Sequence, residues 1–247
     1  MKRMKFENLE NDMKKYLEEN AKKLSINLTK EQLDKFEIFY HLLIETNKSM
    51  NLTAITEMHE VVLKHFIDII AVINFINFSG KKVIDVGTGA GFPGIPLAII
   101  LSNTEFVLMD SLQKRLNFIE RVIKESGISN VVTVHGRAED IGRDIQYREQ
   151  FDYCVSRAVA SLPVLLELCT PFVKVGGNFI SYKSELLEDE LERSKHALSV
   201  LHCKIQEQYK YSIPDSDFYR VLAIFSKDDK LGSKYPRQAG KPKKNPL

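Results

Sequence analysis

The stretch VIDVGTGAGFPGIPLAI, residues 83–99, decides the fold of this chain. It begins with an apolar run ending at Val86, which predicts a β-strand, and continues with four glycines within eight residues. Glycine lets the backbone approach a ligand closely, so a glycine loop directly after a strand predicts a site for a nucleotide or nucleoside. The remainder of the sequence must indicate which one.

Strands and helices alternate after this loop, and a helix beginning at Ser161 is predicted to stop at the Gly176-Gly177 pair. The predicted strands share a short apolar pattern and cover residues 83–86, 106–110, 131–135, 151–156, 178–182, 205–211 and 220–225. Such alternation predicts an α/β fold with a doubly wound, mostly parallel sheet, in which the last two strands form an antiparallel hairpin. Ligands bind such sheets at the carboxyl ends of the strands. We expect a cleft between the loops after Val86, Asp110, His135 and Ser156.

Three regions are predicted. Residues 1–80 form a helical extension, in which Thr29 and Gln32 make a capping box before an apolar helix face. Residues 81–226 form the α/β domain. Residues 227–247 carry seven Lys or Arg against two Asp and few large apolar side chains, so we predict a flexible basic tail. Contact of this tail with phosphate groups and a merely solvated terminus are both compatible with its composition.

The composition is that of a globular protein, with 44% hydrophobic residues, a net charge of +2 and no broadly basic character. The three cysteines lie far apart without a CxxC pair, so we expect reduced core thiols and no metal site. The N-terminus lacks an apolar signal core, and the most apolar stretch, residues 61–78, carries several polar side chains. A cytoplasmic protein without a membrane or DNA partner is therefore expected.

The position of the glycines favours one cofactor over another. Residues 89–94 match GxGxxG, but that dinucleotide fingerprint begins at the strand end, where this chain has Gly87. Asp85 precedes Gly87 by two residues; its carboxylate suits loop amides or a cationic amino-acid group and would be a poor neighbour for a pyrophosphate. Asp110 ends the next strand, where a carboxylate can hold ribose hydroxyls. S-adenosylmethionine is favoured over NAD, and a purely structural glycine turn is the remaining alternative.

Two signatures of nucleic-acid methylation are missing from the sequence. The loop after the fourth strand lacks an Asn/Asp-Pro-Pro-aromatic motif, and Cys169 does not follow a proline as a cytosine-attacking nucleophile often does. Arg157 and Arg137 occupy the loops after the fourth and third strands instead. From this position Arg157 could support the cofactor loop.

Six motifs in order, NLTAIT, HFIDI, VIDVGTGAGFPGIPLAI, LMDSLQKRLNFI, GRAED and VSRAVASL, resemble the ribosomal RNA small-subunit methyltransferase G family. The resemblance covers roughly residues 33–225, and the tail YPRQAGKPKKNPL is similar to that of Gram-positive members. It implies a Rossmann-like, seven-stranded S-adenosylmethionine-dependent methyltransferase fold with an N-terminal helical part. It also implies methylation of N7 of guanine 527 in 16S rRNA, so 16S rRNA or the small ribosomal subunit is the expected partner.

The resemblance also assigns site residues. It implies cofactor contacts at Gly87, Phe92, Ala138, Glu139 and Arg157, to which the strand-end argument adds Gly89 and Asp110. Further matches to family motif positions fall at Asn51, His65, Asp68 and Lys114. The substrate-side candidates are His65, Asp68 and Arg137, although His65 and Asp68 could instead make a helix–sheet packing contact.

The implied reaction needs no general base, because N7 of neutral guanine already offers a lone pair. Two other classes remain open at this point. One is a methyltransferase for a small molecule, in which the helical extension would be a lid. The other is a non-catalytic module that binds S-adenosylmethionine or RNA.

Overall fold

The computed structural model describes residues 2–157, 160–183, 187–217 and 219–247. Within these ranges one seven-stranded sheet has the order β3-β2-β1-β4-β5-β7-β6. Its strands are Lys82–Val86 (β1), Glu105–Asp110 (β2), Val131–His135 (β3), Phe151–Arg157 (β4), Val173–Lys183 (β5), Cys203–Ser212 (β6) and Tyr219–Lys227 (β7). Strands β1 to β5 are parallel, and β7 runs antiparallel to both of its neighbours. The predicted α/β fold and its terminal hairpin are confirmed.

Helices cover both faces of the sheet. The α-helices are Lys2–Lys23 (α1), Lys30–Met50 (α2), Met58–Val61 (α3), Asp68–Ile70 (α4), Gly94–Ile100 (α5), Gln113–Ser126 (α6), Ala138–Ile141 (α7), Leu162–Cys169 (α8), Leu187–Arg193 (α9), Lys195–Val200 (α10) and Lys241–Lys244 (α11). A π-helical turn, Val62–Ile67, joins α3 to α4, and short 3-10 turns, Ala71–Asn74 and Thr170–Phe172, follow α4 and α8.

The N-terminal helices share a hydrophobic core with one face of the sheet. Helix α2 begins with the predicted capping box: Gln32 donates its backbone N–H to Thr29 Oγ1 at 3.2 Å, and Gln32 Oε1 accepts the Thr29 N–H at 2.9 Å. This cap fixes the start of a helix whose buried face includes Phe39. The Phe39 ring lies 5.2 Å from that of Phe92 in the glycine loop, so the helical part directly supports the loop.

The Gly176-Gly177 pair does not end a helix, contrary to the prediction. Helix α8 ends at Cys169, and the 3-10 turn that follows contains Pro171, which lacks the N–H needed to continue an α-helix. Strand β5 has already begun at Val173 when the chain reaches the glycines. Gly176 has φ +80°, and the pairing of β4 with β5 shifts register here. The glycine pair therefore marks an irregularity within a strand.

Two short helices, α9 and α10, lie between β5 and β6, and residues 184–186 lie outside the described residues. Cys154, Cys169 and Cys203 are free and buried, as predicted. No helix within the described ranges is long and apolar enough to cross a lipid bilayer.

The C-terminal segment, residues 228–247, packs against the domain, which differs from the predicted flexible tail. Leu231, Tyr235 and Pro242 are buried, and Arg237 forms an ion pair with the buried Glu167 of α8. Average composition conceals these anchors, because a few buried residues and one deep ion pair lie among many exposed charges.

Candidate active site

A cavity of about 460 Å³ lies at the carboxyl ends of β1, β2, β3 and β4. The loops after these four strands all contribute to its lining, as the strand-end argument predicts. Its volume is in the range of sites that hold a small-molecule ligand or cofactor. Of the predicted cofactor contacts, the structure brings together Gly87, Gly89, Phe92, Asp110, Ala138, Glu139 and Arg157 in this lining.

The glycine loop after β1 is tied to the end of β2. Gly87 and Gly89 have φ of +74° and +62°, a backbone region that L side chains rarely occupy. Gly87 donates its N–H to the carbonyl of Met109 at 3.0 Å, and Gly89 donates to Asp110 Oδ2 at 3.0 Å. The loop conformation thus depends on glycine and on the carboxylate that was expected to hold a ribose.

Asp110 is buried, and most of its hydrogen-bonding capacity is used by the protein. Oδ1 accepts the Leu112 N–H at 2.9 Å, while Oδ2 accepts from Gly89 and, at 3.3 Å, from Arg115 Nη1. A carboxylate offers about four acceptor positions, so three protein donors leave about one for a hydroxyl in the cavity. The ribose contact stays a prediction that this geometry permits.

Asp85 accepts a loop amide and does not line the cavity. Its Oδ2 receives the Gly94 N–H at 2.9 Å, and its side chain is fully buried. Burial raises the pKa of Asp85 to about 7. A Cβ on Gly94 would lie 2.9 Å from Asp85 Oδ2 and 2.7 Å from Leu108 Cγ, so Gly94 permits close packing of α5 against the sheet. Of the two roles considered for Asp85, the structure realises the loop contact.

One end of the cavity is formed after β3 by Arg137, Ala138 and Glu139. Arg137 is exposed at its rim. Glu139 is nearly buried, and its Oε1 accepts the backbone N–H of Gly240 at 2.8 Å. A residue of the C-terminal segment therefore touches a predicted cofactor contact.

The other end is organised by Arg157 at the end of β4. Its Nη1 donates to the Lys64 carbonyl at 2.9 Å, and its Nη2 donates to His65 Nδ1 at 2.7 Å. The guanidinium carbon lies 5.3 Å from the centroid of the Phe92 ring, a cation–π arrangement. Arg157 therefore links the glycine loop to the π-helical turn Val62–Ile67.

His65 lines this end of the cavity in a neutral form. Because a guanidinium only donates hydrogen bonds, Nδ1 must accept from Arg157, and Nε2–H donates to Thr53 Oγ1 at 3.0 Å. Burial, followed by the nearby Arg157 cation, lowers the pKa of His65 to about 3. The imidazole stacks on Phe92 with ring centroids 4.6 Å apart.

Asp68 lies behind Arg157 and not in the cavity lining. Its Oδ2 is 3.3 Å from both Arg157 Nη1 and Arg220 Nε, and its Oδ1 accepts the Tyr211 hydroxyl at 2.9 Å. The cleft-facing interpretation therefore holds for His65, whereas Asp68 makes the helix–sheet packing contact considered as the alternative.

Two other motif positions do not line the cavity. Asn51 is the exposed left-handed cap of α2, with φ 49°, and Lys114 is exposed on α6. Leu52 and Thr53 do line it, although sequence reasoning did not single them out. The available signal was the motif NLTAIT, which contains both. Ala158 and Val159 of the motif VSRAVASL lie outside the described residues.

The sheet order and the cavity beside the glycine loop define a Rossmann-like protein with a nucleoside-cofactor type of site. A sequence model of the rRNA small subunit methyltransferase G family matches residues 32–216. A protein of Acetivibrio thermocellus with that name is 48% identical over 235 residues, covering 95% of this chain and 97% of its own. One of Thermoanaerobacter sp. is 47% identical, covering 97% and 100%. The chain belongs to the rRNA small subunit methyltransferase G family.

Solved structures support the fold. The YcgJ protein of Bacillus subtilis matches 66% of this chain and 98% of its own, with 14% identity and a TM-score of 0.51. A ribosomal protein L11 methylase of Lactobacillus delbrueckii subsp. bulgaricus matches 66% and 77%, with 17% identity and a TM-score of 0.50. Family membership confirms the predicted class of enzyme, an rRNA methyltransferase.

Proposed function

We propose that this enzyme transfers the methyl group of S-adenosylmethionine to N7 of guanine 527 in the 16S rRNA of the small ribosomal subunit. Family membership and the six motifs support an rRNA substrate. The choice of N7 as the methyl acceptor is supported by the protonation and hydrogen bonding of the side chains at the Arg157 end of the cavity.

The observation that carries the proposal is that the proton-accepting groups at this end are engaged. His65 Nδ1 accepts from Arg157, and its Nε2 carries the proton donated to Thr53. Asp68 is buried between two guanidinium groups and a tyrosine hydroxyl. Methylation of an exocyclic amine or a hydroxyl requires loss of a proton, whereas guanine N7 attacks with a lone pair it already has. The arrangement therefore fits an N7 acceptor.

The two ends of the cavity then have different roles. The glycine loop, Asp110 and the Ala138–Glu139 pair would hold the nucleoside part of the methyl donor. Phe92 and Arg157 would hold its methionine part, with the guanine entering beside His65. Positioning of the nucleophile, the methyl group and the sulfur in line can supply about 7–11 kcal/mol of the barrier reduction.

Recognition of the RNA requires a base that can leave its stack, as in an unpaired loop, together with basic side chains for phosphate. Arg137 at the cavity rim and the exposed lysines Lys241, Lys243 and Lys244 are the candidates. Arg137 lies beside the nucleoside end, so we assign it a phosphate contact in preference to contact with the reacting guanine.

The test is methylation of purified small subunits, and of naked 16S rRNA, with methyl-labelled S-adenosylmethionine, followed by mass mapping of the modified nucleotide. The expected product is a single 7-methylguanosine at position 527. Subunits already carrying that modification serve as the control and should accept no label. A methyl group on another atom or nucleotide would refute the proposed specificity, and transfer only to small molecules would refute the RNA substrate.

A further inference from the structure

The C-terminal segment is attached along its length to the region that follows β3. Leu231 donates its N–H to Glu149 Oε1 at 2.8 Å. Arg148 donates to the carbonyls of Leu231 and Tyr235 at 2.7 and 2.9 Å, and also to the Gly142 carbonyl at 2.9 Å. The path of the segment is therefore fixed by side chains that lie just after α7.

A buried ion pair anchors the middle of the segment. Arg237 Nε lies 2.8 Å from Glu167 Oε1, and Nη2 lies 2.6 Å from Oε2, a bidentate arrangement. The Arg237 backbone N–H donates to the same Oε1 at 2.8 Å, and Glu167 is completely buried. Four hydrogen bonds to one buried carboxylate, counting a longer one from Nε to Oε2 at 3.1 Å, fix the chain only three residues before Gly240.

Gly240 then reaches the cofactor cavity. Its N–H lies 2.8 Å from Glu139 Oε1, and its φ of +81° suits glycine. Glu139 has 9% of its surface exposed and lines the cavity. Among the described residues no hydrogen-bond donor contacts Oε2, the second oxygen of this carboxylate. One oxygen is thus held by the protein, and the other is available to a ligand.

We propose that Gly240 is a positioning residue of the cofactor site, which fixes the Glu139 carboxylate so that Oε2 accepts the amino group of the adenine ring. The proposal rests on the proposed function, in which Glu139 contacts the nucleoside. The predicted ribose contact falls to Asp110 at the neighbouring strand end, and this leaves the adenine base for the loop after β3. A carboxylate oxygen accepts hydrogen bonds only, so it favours an amino group over a carbonyl oxygen.

The experiment compares Gly240→Pro with Gly240→Ala in the full chain. Alanine keeps the N–H and can adopt the left-handed backbone at residue 240 at a modest cost, because an added Cβ meets no atom within 4 Å. Proline has no N–H and cannot adopt φ +81°, so it removes the hydrogen bond to Glu139 on both grounds. Binding of S-adenosylhomocysteine and of its inosine analogue, which carries a carbonyl oxygen in place of the amino group, is measured by calorimetry. The unsubstituted protein should prefer the adenine ligand by about tenfold or more, since one good charged hydrogen bond is replaced by repulsion between two acceptors.

Gly240→Pro should lose most of this preference, and Gly240→Ala should retain it. Each variant is also made in a Glu139→Ala background, where Gly240→Pro should have no further effect on the preference because it acts through Glu139. The preference is the ratio of the dissociation constants of the two ligands, measured on folded protein, so a lower melting temperature does not by itself change it. An unchanged preference in Gly240→Pro would overturn the positioning role. An unchanged preference in Glu139→Ala alone would overturn both this role and the assignment of Glu139 to the cofactor.

Discussion

Arg157 and Arg220 allow the role of one arginine in the cavity to be separated from its role in the core. Each places a nitrogen 3.3 Å from Oδ2 of the buried Asp68, so Arg157→Met and Arg220→Met each remove one cation from the same carboxylate. Of the two, Arg157 lines the cavity and also donates to the Lys64 carbonyl and to His65 Nδ1. Arg220→Met is therefore a matched control for the loss of the ion pair.

The hydrogen bonds that Arg157 makes give the size of the expected loss of stability. Each hydrogen bond made by a charged donor contributes about 1.5–3 kcal/mol, so loss of the two bonds to Lys64 and His65 should destabilise Arg157→Met by about 3–6 kcal/mol beyond the loss of its Asp68 contact. For a chain of this length, that loss corresponds to a melting temperature lower than that of the wild type by roughly 6–24 °C. If Arg157 contacts the methyl donor, Arg157→Met should also weaken S-adenosylmethionine binding by about tenfold or more, whereas Arg220→Met should stay within about twofold.

Differential scanning fluorimetry measures the melting temperatures, and calorimetric titration below the melting temperature of the less stable variant measures the affinity for S-adenosylmethionine. Equal loss of cofactor affinity in both variants would mean that Arg157 acts only through Asp68, as a support for the loop. A melting temperature of Arg157→Met equal to that of the wild type would mean that the bonds of Arg157 to Lys64 and His65 contribute nothing to stability, and the reasoning from the cavity geometry would be wrong.

Four further outcomes are expected. Gly87→Val should abolish S-adenosylmethionine binding in a folded protein, because residue 87 requires φ +74°; calorimetry and circular dichroism check this. Single-turnover methyl transfer should be nearly flat between pH 6.5 and 8.5, as about a tenfold rise per pH unit would demand a general base. The triple change of Lys241, Lys243 and Lys244 to Gln should flatten the salt slope of RNA binding by about 2 and leave cofactor affinity unchanged; an equal slope would exclude phosphate contacts there. Buried Asp85 has a pKa of about 7 against an ordinary 3.8, so its contribution to stability falls as pH rises between these values. In urea unfolding, the free energy of unfolding of Asp85→Asn should therefore rise relative to that of the wild type by up to about 4 kcal/mol by pH 7.5. A difference between the two proteins that stays constant from pH 4.5 upward would contradict that pKa.

The glycine loop and the α2 cap could be predicted because their causes are local. The side chains of Thr29 and Gln32 each accept the backbone N–H of the other residue within one helical turn. Gly87 and Gly89 adopt left-handed conformations that their lack of a side chain permits. The strands followed from short apolar runs, and the position of the cavity followed from their parallel arrangement. These features need no knowledge of which distant residues meet.

The missed features depend on contacts between distant parts of the chain. Thr53 enters the site because His65 needs an acceptor for its Nε2 proton, and no periodicity in the sequence indicates that pairing. The Gly176-Gly177 pair has the composition of a helix stop, but its place in β5 is set by pairing with β4. The C-terminal segment resembles a solvated tail until Arg237 is seen to meet Glu167, 70 residues away in sequence.

Both ends of the cavity are held by chain segments far from the glycine loop. The Arg157 end depends on His65, 92 residues earlier, and the Glu139 end on Gly240, 101 residues later. The two supports belong to different parts of the fold, the N-terminal helices and the C-terminal segment, and each can open locally without the other. Loosening of the first support should therefore act mainly on the methionine and acceptor side, and so on the rate of methyl transfer. Loosening of the second should act mainly on adenine recognition, because the peptide planes of the glycine loop between them remain tied to β2 through Met109 and Asp110.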